Sequence, residues 1–147
     1  MATRVWVAAA AAIVLCPRPS SACSFSVGQL DFGTYDVFSA APNDSTATIT
    51  YKQCLGSAVI QITVSRGTSA TFSPRILTSA TETLQYNVYM DAARTTIWGD
   101  GSGGTSFYTK LTPGNGSVNV TAFGRITAGQ DVGAGRFTDT LTVVMNF

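Results

Sequence analysis

Short runs in which apolar and polar residues alternate fill most of this chain, and they constrain its fold more than any other feature. Val59–Val64 places Ile60 and Ile62 on one side and polar residues on the other. Ala47–Cys54 and Leu84–Met90 alternate in the same way. A period of two puts one face of a strand on a core and the other toward water, so each run predicts a half-buried β-strand.

The last such run, Phe137–Phe147, is the longest. It places five apolar residues on one side, Phe137, Leu141, Val143, Met145 and Phe147, and threonines and an asparagine on the other. Glycine-rich and polar segments such as Gly99–Gly104 and Gly129–Gly135 separate the runs, as turns do. No helical pattern follows residue 22. The sequence therefore predicts an all-β fold, an immunoglobulin-like antiparallel β-sandwich of about seven strands.

The first residues have the pattern of a secretory signal peptide, Met1–Ala22. Arg4 precedes the apolar run Val5–Leu15, and small residues stand just before Cys23. Such a leader is removed on export, so we expect a mature domain, 23–147, in an oxidising compartment. An alternative is a lipoprotein anchored through Cys23, although Ser20 stands where such a signal has a bulky aliphatic residue.

The composition of the mature part excludes several classes of function. Of nine basic residues, Arg4 and Arg18 lie in the leader, so seven face eight acidic ones and no basic surface for nucleic acid is expected. The chain contains no histidine, which excludes histidine-based nucleophile systems and histidine metal sites. We therefore expect neither an enzyme nor a metal site, and no small-molecule cofactor.

Three cysteines become two when the leader is removed, because Cys16 lies within it. Two cysteines in an exported domain most often pair, which predicts a disulfide between Cys23 and Cys54. The chain-entropy model gives such a loop about 3–4 kcal/mol of stabilisation. The alternative is two free thiols.

Several motifs together resemble the spore coat protein U domain, which occurs in subunits of archaic chaperone–usher pili and in related exported proteins. In chain order they are Cys23-Ser-Phe, Leu30-Asp-Phe-Gly-Thr-Tyr35, Leu84-Gln-Tyr-Asn-Val-Tyr-Met-Asp-Ala92, Ile97-Trp-Gly-Asp-Gly101, Phe123-Gly-Arg-Ile-Thr-Ala-Gly-Gln130 and Gly135-Arg-Phe-Thr-Asp-Thr-Leu-Thr-Val143. The resemblance covers essentially all of Cys23–Phe147. Each motif is short, and their shared order and spacing make the resemblance specific.

The resemblance implies a sandwich that lacks one strand and is completed by a strand from another chain. The implied partners are a periplasmic pilus chaperone, an outer-membrane usher and other pilus subunits, and the implied location is the periplasm and then the cell surface. The candidate residues for the strand-acceptor groove and core are Ile60, Ile62, Leu141, Val143, Met145 and Phe147. The chain stops at Phe147 with no further strand, which fits an incomplete sheet.

One expectation departs from the pattern of a polymerising subunit. Cleavage after Ala22 leaves no donor arm before Cys23, so the chain would accept a strand without donating one, as at a filament tip. The alternative is a self-contained secreted adhesive or coat protein domain that closes its own sheet.

Overall fold

The computed structural model describes residues 23–54, 59–111 and 114–147. The predicted signal peptide, Met1–Ala22, lies outside these ranges. Within them no helix is long and apolar enough to cross a membrane.

Eight strands form two antiparallel sheets. In chain order the strands are β1 Ser24–Val27, β2 Asn43–Cys54, β3 Val59–Val64, β4 Arg75–Thr78, β5 Thr83–Tyr89, β6 Tyr108–Leu111, β7 Gly114–Ile126 and β8 Val143–Asn146. The larger sheet has the order β1-β2-β7-β5-β4, and the smaller has the order β6-β3-β8. The chain is all-β over the described ranges, and its two sheets face each other as a sandwich, which confirms the predicted fold class.

The alternating runs form the strands that enclose the core. β3 has the predicted bounds, and Ile60 and Ile62 are both fully buried. On the opposite sheet, Ile49 of β2 pairs with Val120 of β7, and Tyr51 is also fully buried. Burying each large apolar side chain stabilises the fold by about 1.5–3 kcal/mol, so these inward faces hold the two sheets together.

An arginine lies inside this core. The Arg75 side chain is fully buried, and its guanidinium donates to the carbonyl oxygens of Ser65 (2.9 Å) and Trp98 (2.6 Å) and to Oδ1 of Asn87 (2.7 Å). Phe72 lies beside it, with its ring centroid 5.2 Å from Cζ. Burial lowers the pKa of Arg75, but an arginine still keeps its charge. This hydrogen-bonded cation ties the loop after β3 to the segment after β5.

The disulfide between Cys23 and Cys54 is present. It joins the residue before β1 to the last residue of β2, the two strands that pair at one edge of the larger sheet. The cross-link therefore fixes the outermost strand of this sheet to its neighbour.

The predicted strand Phe137–Phe147 is wrong in its first half and at its last residue. Only Val143–Asn146 is a strand, and Phe147 is 63% exposed, so it lies outside the core of the free chain. The first half makes other contacts: Thr138 and Thr78 exchange backbone hydrogen bonds, and the Asp139 carboxylate accepts hydrogen bonds from the backbone and hydroxyl of Thr68 and from the hydroxyl of Tyr86. Side-chain alternation continues through the segment, while regular strand pairing begins only at Val143.

Candidate functional site: an open groove between the sheets

A groove of about 1240 Å³ opens between the two sheets. Its walls are two segments without regular pairing, one running from the end of β1 to Phe38 and the other from Val132 to Val143. Its floor consists of inward-facing apolar residues of the larger sheet, Ala47, Ile49, Leu84, Tyr86, Val88, Ala122 and Ile126. A long apolar groove of this kind lies where a sandwich would normally hold another strand.

The edge of β8 beside the groove is unpaired within the described ranges. Thr142 accepts from the backbone N–H of Ser65 at 2.9 Å, so the even-numbered residues of this strand direct their backbone groups toward β3. Alternation then turns the N–H and C=O groups of Val143 and Met145 toward the groove. Because β8 is the last strand of its sheet, these backbone groups are available to an incoming strand.

The first wall is held by side chains. Leu30 and Phe32 pack against Gly124 so closely that a Cβ there would lie 2.8 Å from Leu30 and 2.7 Å from Phe32. Only glycine leaves room for this approach. The Tyr35 hydroxyl donates to the carbonyl oxygen of Thr127 at 3.1 Å and accepts from the backbone N–H of Gln130 at 2.9 Å. These contacts anchor the wall at one end of the groove.

The second wall carries a polar contact at its rim. The Tyr86 hydroxyl donates to Asp139 Oδ2 at 2.7 Å. Burial, and then this hydrogen bond, raise the pKa of Tyr86 above its usual range. The phenol therefore stays neutral at physiological pH and remains a donor that holds Asp139 and its segment against the floor of the groove.

The predicted groove and core residues fall into four groups. Leu141 and Val143 line the groove and are half-buried. Met145 is half-buried on the same side of β8, whereas Ile60 and Ile62 belong to the closed core. Phe147 is exposed, as described above.

Sequence reasoning missed the wall residues Leu30 and Phe32 as part of the site. Their alternation around Asp31 was a usable signal, but it spans only three residues and lies next to a turn at Gly33. It also missed Asp139, whose three hydrogen bonds connect residues distant in sequence.

The groove offers shape and hydrogen bonding. Within the parts of the chain that the structure describes, no three histidine, cysteine or acidic side chains cluster as they would around a metal ion. An apolar channel beside a free strand edge is the arrangement that binds an extended peptide, because backbone hydrogen bonds give affinity and alternate side chains enter the groove.

The model of the Spore Coat Protein U domain family matches residues 9–144. The chain belongs to the Spore Coat Protein U domain family. A curated relative in sequence is Protein U of Myxococcus xanthus, which is 34% identical over 133 residues; the aligned region covers 82% of this chain and 72% of Protein U. The identification agrees with the resemblance inferred from the motifs.

A solved structure shares the fold of this family member. It is the crystal structure of the CsuC–CsuE chaperone–tip adhesion subunit pre-assembly complex from archaic chaperone–usher Csu pili of Acinetobacter baumannii. The TM-score is 0.59 at 20% sequence identity, and the similarity covers 86% of this chain. The chain spans 39% of the length of the matched chain, so the likeness is one of fold.

Proposed function

We propose that this protein is an exported structural subunit of a chaperone–usher type surface pilus that is completed by a strand from another chain. The observation that carries the proposal is the groove, which combines an apolar floor with the free edge of β8. Membership of the Spore Coat Protein U domain family and the fold shared with a pilus subunit support the same role.

The addition of a strand would use both the apolar groove and the free edge of β8. A strand laid along β8 would hydrogen-bond to the backbone of Val143 and Met145, and its alternate side chains would pack against half-buried groove residues such as Leu141 and Val143. An open groove with a free edge is an aggregation hazard, so a periplasmic chaperone would occupy it first. Another pilus subunit would then replace the chaperone at an outer-membrane usher.

The role is structural rather than catalytic. Two loop carboxylates, Asp91 and Asp100, hydrogen-bond within their own loops: Asp91 accepts from Thr96 N–H at 2.7 Å and Asp100 from the Ser102 hydroxyl at 2.6 Å. These hydrogen bonds lower the pKa of both carboxyls, and they belong to local loop structure. The proposed locations are the periplasm during assembly and the cell surface afterwards.

We also place the subunit at an acceptor-only position such as the filament tip, on the basis of the predicted cleavage between Ala22 and Cys23. A mature chain that starts at the disulfide has no donor arm of about ten residues, the length of a long strand. Amino-terminal sequencing of the exported protein tests this part separately. A start well before Cys23 would remove the tip assignment and leave the acceptor role intact.

The second candidate is a self-contained secreted adhesive or coat protein domain. It is favoured by the way Leu30 and Phe32 already fill one end of the groove from within the same chain. In that case the exported protein would be a stable monomer whose β8 edge is covered by its own wall segments.

Co-expression with and without a pilus chaperone distinguishes the candidates. The subunit proposal predicts that more folded protein accumulates in the periplasm with the chaperone than without it, and that the protein purifies as a complex with the chaperone. Met145→Pro removes an N–H that faces the groove and should abolish the complex, since proline cannot donate. Val144→Ala, on the exposed side of the same strand, is the matched control and should purify normally. A monomer whose yield does not change with the chaperone, and which forms no complex with it, would contradict the proposal.

A further inference from the structure

The larger sheet also has an unpaired strand edge, on β7, separate from the edge of β8 in the smaller sheet. β7 pairs with β2 along nearly its whole length, but β5 pairs only with its last four residues, Phe123–Ile126. The earlier part of β7, up to Ala122, has no strand beside it on that side in the portion of the chain described. The edge of β7 that β5 covers at Phe123–Ile126 is therefore open over the residues that precede Phe123.

The direction of the backbone groups follows from the neighbouring hydrogen bonds. Val88 accepts from Trp98 N–H at 2.9 Å and Met90 donates to the carbonyl oxygen of Thr96 at 2.9 Å, so the even-numbered residues of β5 point away from β7. Tyr89 therefore faces β7, opposite Phe123. By alternation along β7, Thr121 and Asn119 direct their N–H and C=O groups to this same side, beyond the end of β5.

A cavity of about 320 Å³ adjoins this bare edge. It is lined by Met90, Trp98, Tyr108, Val118, Val120 and Phe123, with Lys110 of β6 at its rim. The lining is apolar or aromatic except for Lys110 and the two residues of the edge, Asn119 and Thr121. We call this cavity and the edge from Ser117 to Thr121 the lateral seam.

Lys110 gives the lateral seam a charge. Its side chain is exposed on β6, the outer strand of the smaller sheet, and it forms no ion pair with any residue that the structure describes. No carboxylate lines the cavity. An acidic group bound at the seam could therefore form an ion pair with Lys110, with no carboxylate of the cavity lining competing for it.

We propose that the lateral seam is a second strand-binding site, which takes an extended segment of another protein chain with two apolar residues at alternate positions and an acidic residue beside them. Free N–H and C=O groups at alternate residues of an edge select a β-strand over any other ligand shape. The apolar side chains enter the cavity beside Val118 and Val120, and the carboxylate faces Lys110. The bound segment extends the larger sheet in line with β5, and it leaves the groove free for its own strand.

The test uses an acetylated peptide of about seven residues, the length of an ordinary strand, with valines at two alternate positions and an aspartate near its end. It is added to the full exported chain, carrying its chaperone or subunit strand if it purifies with one. Amide hydrogen exchange is then measured residue by residue. The proposal predicts that exchange at Asn119 and Thr121 slows on binding, while Val120 and Ala122, already bonded to β2, are slow in both states.

Charge variants provide the matched control. Lys110→Glu should weaken binding of the peptide by about threefold or more, the scale of an exposed ion pair. Lys52→Glu changes the same charge on the outer face of β2 and should leave binding unchanged. Replacing the aspartate of the peptide with asparagine should remove the difference between wild type and Lys110→Glu.

Three results would overturn the inference. Slowed exchange at Val143 and Met145 in place of Asn119 and Thr121 would put the peptide in the groove. Equal loss of binding in both lysine variants would mean a nonspecific charge effect. Protection of Asn119 and Thr121 that appears on raising the protein concentration, with no peptide present, would assign the seam to a second copy of this chain.

Discussion

The two sides of this sandwich are built from the same kind of alternating strand, but one side is fully packed and the other is left partly open. Around Trp98, the side chains of Tyr51, Ile60 and Ile62 are fully buried, and hydrogen bonds connect the sheets. Around the groove, Leu141, Val143 and Met145 remain half-buried beside a free edge. The closed side supplies stability that the chain has on its own, whereas the groove side holds apolar surface that another strand could still bury. The two sides should therefore respond differently to mutation and to a bound strand.

The largest effect is expected on the closed side, from Trp98→Ala. The indole is fully buried and its Nε1–H donates to the carbonyl oxygen of Ile62 at 2.9 Å. Removing it should lower the free energy of unfolding by about 3–5 kcal/mol, because a large cavity replaces the indole. Urea unfolding should give the same loss with and without a bound strand. Thr48→Ala, at an exposed position, should change stability by less than about 0.5 kcal/mol.

Removal of the disulfide should have the next largest effect. Replacing Cys23 and Cys54 with serine and alanine opens a loop with a sequence separation of 31 and should cost about 3 kcal/mol. Because the bond holds β1, which leads into the first wall of the groove, strand binding should also weaken. Mass spectrometry of the non-reduced protein checks the bond, and denaturant unfolding checks the cost. Two alkylatable thiols in the native protein would contradict the pairing.

Val143→Ala should distinguish the two sides most sharply. In the free protein the side chain is only half-buried, so its loss should cost less than about 1 kcal/mol. With a strand in the groove the same side chain becomes buried, and the cost should rise to about 1–2 kcal/mol. Val144→Ala, on the outer face of β8, should be nearly neutral in both states. Equal costs for Val143→Ala in the two states would mean that the groove is already closed.

The smallest effect lies outside both regions, on the outer face of the larger sheet. A hydrogen-bonded ion pair with Arg125, at 2.7 Å, lowers the pKa of Asp44 below its ordinary value of 3.8, with a smaller contribution from Arg94. This stabilisation is present above the unfolded pKa and is lost as the pH falls through the lower folded pKa. Because the pair is at the surface, Asp44→Asn should cost less than about 1 kcal/mol. The cost should vanish in unfolding curves measured below the folded pKa.

The closed side could be predicted from sequence, and the groove only in part. Alternation in Val59–Val64 gave the strand and its buried face, since one face of that run is uniformly apolar. The same rule overextended the last strand, because alternation does not reveal that Asp139 bonds to Thr68 and Tyr86. Such contacts join residues far apart in sequence, and no local pattern contains them.

The first wall escaped prediction for a related reason. Its anchoring depends on Gly124, a residue in the middle of β7, where glycine normally weakens a strand. The reason for that glycine is the close approach of Leu30 and Phe32, which becomes visible only when the wall is placed against the sheet.

The central claim is that the edge of β8 accepts a strand from another chain. It is tested most directly by amide hydrogen exchange at Val143 and Met145 in the folded protein, with and without a chaperone or a subunit strand bound. The account predicts rapid exchange at both amides in the free protein and strong protection in the complex, with Val144 and Asn146, which face β3, protected in both. Protection of Val143 and Met145 in an isolated monomer, unchanged by any partner, would contradict it.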